Sequence, residues 1–218
     1  MEINQIFSKV DHTLLSVTAS ESDIIKICEE GMRYNVASIC IAPCHIRIAR
    51  DFLKNDLSIC TVVGFPNGYS TCETKMFETE NALSLGADEI DMVINIGALK
   101  EKNFKKVESE IYNLKKICQN KILKVIVETC LLTEEEKITM CKIVTETGAD
   151  YIKTSTGFSK SGATLDDIIL FSKNIGKNVK IKAAGGISSL EDAQKFIEAG
   201  ASRLGTSRIV KIVSQMNI

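Results

Sequence analysis

Neither sign of charge dominates this chain: 27 lysines and arginines stand against 28 aspartates and glutamates, for a net charge of −1. That balance removes the basic footprint expected of a nucleic-acid-binding protein. No run approaches the roughly 18 apolar residues that a membrane span requires. The opening Met1-Glu2-Ile3-Asn4 lacks the basic start and apolar stretch of a signal peptide. Only two histidines occur, His12 and His45, which argues against a histidine-rich metal site. The eight cysteines include no C-x-x-C pair, and several, such as Cys40 and Cys60, sit inside apolar runs. They read as reduced core thiols rather than a disulfide or zinc framework. No low-complexity segment or Pro/Gly/Ser-rich linker divides the sequence. With 44% hydrophobic and 25% charged residues in 218 positions, the composition predicts one globular cytoplasmic domain over residues 1–218, with no nucleic-acid or membrane partner.

What the sequence does contain is a repeat. Short apolar, β-branched runs alternate with longer helical patterns, at His12–Leu15, Val36–Ala42, Leu57–Val63, Glu89–Ile96, Ile122–Glu128, Tyr151–Thr156, Val179–Ala184 and Arg203–Thr206. Eight runs in 218 residues leave about 27 residues per unit, enough for a strand, a helix and short loops. Capping-box patterns begin at Ser20, Ser70, Thr133, Thr164 and Ser189. The pairs Gly86-Ala87, Gly148-Ala149 and Gly200-Ala201 read as helix ends. Pro43 and Pro66 fall just after predicted strands, where a ladder can stop without losing a donor. Strands alternating with helices predict a parallel sheet covered on both faces, and eight units favour a closed (β/α)8 TIM barrel. An open doubly wound sheet would want a glycine-rich turn after its first strand, and Leu14-Leu15-Ser16-Val17-Thr18-Ala19 contains no glycine.

Charges interrupt three of the predicted strands. Asp91 lies in strand 4, Lys153 in strand 6, and Lys180 and Lys182 in strand 7. A charge inside a filled barrel is costly unless it faces a polar pocket. Lys180, at the start of its strand, reads as solvated at the bottom of the barrel. Lys153 is followed by small hydroxyl residues and Gly157, which lead to the C-terminal face where barrel enzymes carry their chemistry. Lys182 sits on the adjacent strand, and neighbouring strands run about 4.8 Å apart. Two ammonium groups in a poorly hydrated pocket cannot both stay charged cheaply, so repulsion and desolvation should free one amine near neutral pH. A free amine attacks carbonyls to form a Schiff base. Asp91, two strands from Lys153, is placed to share its layer and balance the remaining cation, with a structural ion pair as the other reading.

The loops after strands 7 and 8 read Ala184-Gly185-Gly186-Ile187 and Gly205-Thr206-Ser207-Arg208. Loops at these two places in barrels bind phosphate through backbone N–H groups. Asp11 and Thr13 enter strand 1 either as pocket groups or in structural hydrogen bonds. Cys40 reads as core, with the pocket as its other placement. Lys124 and Glu128 share a side of strand 5, as charges behind the site or as a structural pair.

Together these segments resemble the deoxyribose-phosphate aldolases, a class I, Schiff-base aldolase family with a (β/α)8 fold. The resemblance rests on Asp11-His12-Thr13-Leu14-Leu15, Val63-Gly64-Phe65-Pro66-Asn67-Gly68, Gly86-Ala87-Asp88-Glu89-Ile90-Asp91, Lys124-Val125-Ile126-Val127-Glu128, Lys153-Thr154-Ser155-Thr156-Gly157 and Lys182-Ala183-Ala184-Gly185-Gly186. It implies reversible cleavage of 2-deoxy-D-ribose 5-phosphate to D-glyceraldehyde 3-phosphate and acetaldehyde, in deoxyribose phosphate catabolism. By the family's pattern Lys153 would carry the Schiff base, Lys182 would perturb it, and Asp91 would join Lys182 in proton transfer. Gly185, Gly186, Gly205 and Ser207 would cradle the phosphate, with Thr156 and Gly157 on the sugar side. No metal or organic cofactor is implied, and a homodimer or homotetramer is the expected assembly. Some members carry a lysine where this chain has Phe158, and some end in a tyrosine that assists proton removal. This sequence ends Ser214-Gln215-Met216-Asn217-Ile218, so that step is expected to fall to water and Asp91. Other Schiff-base barrels, transaldolase and type I dehydroquinase, lack the reason for paired lysines with both glycine loops. A silent sugar-phosphate-binding protein would leave those lysines unexplained.

Overall fold

The computed structural model describes residues 1–215, and Met216, Asn217 and Ile218 lie outside the described residues. Eight strands form a closed parallel barrel in sequence order. They are β1 (Val10–Leu14), β2 (Ser38–Ile41), β3 (Ile59–Val63), β4 (Glu89–Val93), β5 (Ile122–Ile126), β6 (Tyr151–Lys153), β7 (Lys180–Ala184) and β8 (Arg203–Thr206). The helices are α1 (Ile3–Phe7), α2 (Glu21–Arg33), α3 (Ile46–Leu53), α4 (Cys72–Ser84), α5 (Ile96–Lys100), α6 (Phe104–Cys118), α7 (Glu134–Glu146), α8 (Leu165–Asn174), α9 (Leu190–Glu198) and α10 (Ile209–Gln215). All eight predicted runs hold a strand, so the barrel expectation stands.

Several strands stop earlier than the apolar runs do. Strand β4 ends at Val93 because Asn95 turns the chain into α5, its side chain accepting from the Ala98 N–H. Strand β5 ends at Ile126 because Glu128 adopts a left-handed backbone (φ 57°, ψ 65°), which carries the chain off the ladder. Ser20 and Thr133 form the full capping boxes read from sequence. The box expected at Ser70 is displaced by one residue: Thr71 is the cap and accepts from Thr74 N–H. Thr164 and Ser189 cap through their own hydroxyls alone. Gly86, Gly148 and Gly200 follow α4, α7 and α9 with positive φ, as the sequence suggested.

Strand geometry sorts the side chains. Alternate residues point out to the helices, and these outward residues, Ile39, Ile41, Ile59, Ile90, Met92, Val125 and Ile152 among them, build the large apolar layer between strands and helices. The inward set is different. Besides a small apolar group of Cys40, Cys60 and Val62, it holds Asp11, Glu89, Asp91, Lys124, Lys153 and Lys182. The expectation that the cysteines are core thiols holds for Cys28, Cys40, Cys60, Cys118 and Cys141. Cys44 is exposed and Cys72 and Cys130 are half-buried, which corrects it for those three. The correction has a simple cause: Cys44 follows Pro43 in a short 3-10 turn, Cys72 opens α4, and Cys130 lies in the turn after β5.

One buried pair has no counterpart in the sequence reading. Lys75 of α4, fully buried, donates to the Val93 carbonyl and to Glu110 of α6, both at 2.8 Å. Glu110 in turn accepts from Asn95 N–H. A carboxylate and a peptide carbonyl compensate the lysine's desolvation, and together they fix the C-terminal end of β4 two residues beyond Asp91.

Candidate active site

At the C-terminal end of the barrel lies a cavity of about 450 Å³. Lys153 reaches it from below, only 3% exposed. Thr156 and Gly157 line one side, and Gly185, Gly186, Gly205 and Ser207 line the other. Gly185 and Gly186 both have φ of 77°, a left-handed pair that only glycine adopts without strain. A Cβ on Gly205 would lie 3.1 Å from Lys182 Cε, so this glycine also leaves room for the second lysine's stem. Thr13 lines the cavity too. Asp11 and Cys40 do not. Asp11 is fully buried below it, and Cys40 packs with Cys60 and Val62 against Leu15 and Phe65. Inward alternation along β1 and β2 drops both a layer beneath the floor, so neither is a wall residue.

Beneath the cavity the lysines and carboxylates form one continuous cluster. Lys153 and Lys182 are directly opposite in the β6–β7 register. Their ammonium groups donate to the same oxygen, Asp91 Oδ2, at 2.7 and 2.6 Å. The other Asp91 oxygen accepts from Lys124 at 2.9 Å and from the Cys60 thiol at 3.2 Å. Lys182 also pairs with Asp11, whose Oδ1 accepts from Ser38 at 2.7 Å and pairs with Arg203 at 2.5 Å. Lys124 and Arg203 both reach Glu89, at 2.5 and 3.1 Å. The sequence left open whether Lys124 stands behind the site or pairs structurally with Glu128. It does the former, and Glu128 is elsewhere, accepting from Thr156 N–H at 3.2 Å and from the Thr156 hydroxyl at 2.5 Å.

The electrostatics follow from that wiring. Burial alone would push the Asp91 carboxyl up, but Lys124, Lys153 and Lys182 together hold it well below the usual carboxylate value. Desolvation likewise opposes the charge on Lys182, yet Asp11 and Asp91 outweigh it and raise its pKa. Lys124 is raised in the same way, by Asp91, Cys60, Asp11 and Glu89. This corrects one element of the sequence reading, since the two lysines do not simply repel. A shared carboxylate separates them, and Lys182 keeps its proton. Counting formal charges, Asp11, Glu89 and Asp91 face Lys124, Lys153, Lys182 and Arg203, so the cluster holds one positive charge in excess. Lys124 is held by Asp11, Glu89 and Asp91, Lys182 by Asp11 and Asp91, and Lys153 by Asp91 alone.

Two buried donor sets have metal-like spacing, Cys40 with Cys60 and Asp91, and Asp11 with Cys60 and Glu89. In both, the carboxylates already pair with lysine or arginine, and Lys124 Nζ lies 3.2 Å from Cys60 Sγ. The cation position is thus taken by ammonium groups.

Sequence reasoning missed Arg203, which closes the cluster at its base, and Arg208 and Lys211, which line the cavity mouth. The signal available was the three-residue spacing of Arg208 and Lys211 after Gly205-Thr206-Ser207, which puts both on one side of a helical turn. Phe158 also lines the cavity, its ring edge-on to Phe65 at 5.3 Å.

A closed barrel with an interior lysine presented to a cavity at the C-terminal end of the strands has the architecture of a barrel enzyme. The chain belongs to the DeoC/LacD family of aldolases, whose model matches residues 6–209. It is 56% identical over 218 residues to the deoxyribose-phosphate aldolase of Streptococcus agalactiae serotype Ia, covering 100% of this chain and 98% of that one. To the deoxyribose-phosphate aldolase of Clostridium botulinum it is 60% identical over 209 residues, 96% of this chain and 95% of the relative. A tetrameric deoxyribose phosphate aldolase from Aeropyrum pernix superposes with a TM-score of 0.91 at 27% identity, covering 99% and 92% of the two chains.

Proposed function

We propose that this aldolase cleaves 2-deoxy-D-ribose 5-phosphate to D-glyceraldehyde 3-phosphate and acetaldehyde, reversibly, through a Schiff base on Lys153. The supporting observation is the shared oxygen of Asp91. Among the described residues it joins an amine lining the cavity to a fully buried ammonium, within a cluster that carries one cation too many. Of the lysines in that cluster, Lys153 is the one that pairs with Asp91 alone and lines the cavity, which suits it to present the attacking amine. The neutral amine adds to the open-chain aldehyde, and loss of water gives a protonated imine. A base removes the proton of the C3 hydroxyl, the C2–C3 bond breaks, and its electron pair enters the imine as an enamine. D-glyceraldehyde 3-phosphate departs, the enamine carbon takes up a proton, and hydrolysis releases acetaldehyde and the amine.

Asp91 is too firmly ionised to serve as a reservoir of protons by itself, so its part is to link Lys182 and Lys153 through one oxygen along which a proton can pass. Gly185, Gly186, Gly205 and Ser207 would receive the phosphate, turning remote binding into orientation of the reacting carbons. Thr156 and Gly157 would face the sugar. Like the Aeropyrum relative, which is tetrameric, the chain is proposed to work as a homo-oligomer. None of the described helices is long and apolar enough to cross a membrane, and a cytoplasmic site of action is part of this proposal.

The test is reductive trapping. Borohydride with 2-deoxyribose 5-phosphate should add the mass of a reduced adduct to one peptide, the one containing Lys153. Protein that stays unmodified under these conditions would mean a sugar-phosphate-binding protein, and an adduct on Lys182 would reassign the nucleophile.

A further inference from the structure

The ion pair between α4 and α6 is a poor source of stability. Its side chains, Lys75 and Glu110, are 0% and 5% exposed. Burial pushes the Lys75 ammonium below its ordinary value and the Glu110 carboxyl above its own, so each partner compensates the other only in part. Apolar side chains of the same volume often match or exceed the stability of such a pair.

What the pair does hold is main chain on both sides of the β3–β4 ladder. Lys75 Nζ donates to the Val93 carbonyl, two residues beyond Asp91. Glu110 divides its oxygens: Oε1 accepts from Lys75 at 2.8 Å, and Oε2 accepts at 3.2 Å from the N–H of Asn95, the cap of α5. The stem of Lys75 supports the loop after β3. Gly64 has φ of 61°, and a Cβ there would lie 2.7 Å from Lys75 Cε and 3.1 Å from Cδ, so its backbone rests on that stem. Gly64 N–H donates at 2.8 Å to Glu78, one turn along α4 from Lys75. The Gly64 carbonyl accepts from Gly68 N–H at 2.8 Å, which closes the turn that carries Phe65. Phe65 in turn packs on Cys40, Cys60 and Val62 and stands edge-on to Phe158 in the cavity wall.

We infer that Lys75 and Glu110 are positioning residues for the reaction: from the helical layer they set the end of β4 and the loop after β3, and with them the Asp91 oxygen shared by Lys153 and Lys182 and the Phe65 ring against Phe158. The inference rests on the activity proposed above and assigns this distant pair a part in it. Two ammonium groups meet one Asp91 oxygen at 2.7 and 2.6 Å, an arrangement with little slack along β4. Misplacement of reacting groups by about 1 Å costs about a hundredfold in rate. An apolar pair would fill the same space yet leave the Val93 carbonyl and the Asn95 N–H without partners.

The experiment separates stability from positioning by an apolar exchange. In the full chain, the urea midpoint and, without urea, kcat and KM for 2-deoxyribose 5-phosphate are measured for wild type, for Lys75→Met, and for Lys75→Met combined with Glu110→Leu. Lys75→Met strands a buried carboxylate, so its midpoint should fall by about 1 M or more, and the double variant should recover most of that loss. The rate should not recover with it. In the double variant kcat should stay about ten- to a hundredfold below wild type, with KM within about threefold. A double variant with wild-type kcat would overturn the inference, and so would a loss carried by KM alone. If the double variant does not fold, Glu110→Gln replaces it. That change keeps the size but turns an amide donor towards either Lys75 or the Asn95 N–H, and should lower kcat about three- to tenfold. Unchanged kcat in folded Glu110→Gln would equally overturn the inference. Failure of the proposed activity is distinguishable, because the wild type itself would then form no borohydride adduct with 2-deoxyribose 5-phosphate.

Discussion

Replacing Lys182 by methionine tests the electrostatic core of the mechanism. The Lys182 and Lys153 nitrogens approach one oxygen at 2.6 and 2.7 Å, which puts their charges no more than about 5 Å apart. At an effective dielectric constant of about 20, one unit charge at that distance is worth about 3 kcal/mol, or about 2 pH units in a neighbour's protonation. The sign is fixed by the charge count. With Lys182 the cluster has a surplus cation, which disfavours a further proton; without it, three carboxylates face three cations and that penalty is gone. The acid limb of the kcat/KM profile should therefore move upward by about 2 pH units, with turnover at pH 7 falling about a hundredfold. Arg203 and Ser38 remain on Asp11, so the variant keeps partners for that carboxylate. The assay is acetaldehyde release between pH 5 and 10, alongside Lys182→Arg, which keeps the charge and should keep the limb. An acid limb that stays put in folded Lys182→Met would refute the argument, whatever happened to the maximal rate.

The remaining expectations concern the supports of that cluster. Asp91→Asn leaves four cations facing two carboxylates, and uncompensated buried charge of this kind costs about 3–5 kcal/mol, so the urea midpoint should drop by at least about 1 M; an unchanged midpoint would mean the cluster is already neutral. Asp11 and Asp91 are held below the usual 3.8, so the stability they contribute is present above pH 3.8 and lost as pH falls beneath it. Lys124 and Lys182 are raised above 10.5, so theirs is present below pH 10.5 and lost above it. The urea midpoint should therefore fall as pH drops below 3.8 and again as it rises above 10.5, and a midpoint that rises on going below pH 3.8 would contradict the ion pairs. Glu128→Gln keeps the size but removes the charge that accepts both Thr156 protons, and should lower kcat/KM about tenfold for a loss of about 1–2 kcal/mol in stability. Wild-type kinetics in that variant would show that the loop after Lys153 needs no ionised anchor.

The parts of this site that could be read from the chain are those whose residue type contradicts its element. A charge in a run of β-branched residues stands out, and Asp91, Lys153 and Lys182 were found that way. Glycines at matching places in consecutive units stood out equally. The readable signal ends where a residue is ordinary for its surroundings. Arg203 begins a strand at the barrel's bottom, where a basic residue reads as solvated like Lys180. Arg208 and Lys211 sit at the start of a short helix, where any basic residue looks like surface. Only closure of the barrel brings β8 beside β1 and points Arg203 at Asp11. Lys75 and Glu110 were invisible for a related reason. They lie on different helices, α4 and α6, and nothing local to either announces that their faces meet.

The division of labour between the two sides of the strands explains how such an interior is tolerated. Barrels are usually filled by layers of branched apolar side chains. Here much of that volume is occupied by Asp11, Glu89, Asp91, Lys124, Lys153, Lys182 and Arg203, and inward apolar residues such as Cys40, Cys60, Val62, Val93 and Ile126 fill the rest. A buried ion cluster contributes little net stability, since desolvation offsets much of the Coulomb attraction. The folding free energy must therefore come chiefly from the outer layer, where residues such as Ile39, Ile90, Met92, Val125, Ile152 and Leu204 pack against the helices. That arrangement frees the inner layer to be chosen for its charge. It also sets the cluster directly beneath the cavity, where Asp91 joins Lys153 to Lys182 and Lys124, and these in turn reach Asp11, Glu89 and Arg203.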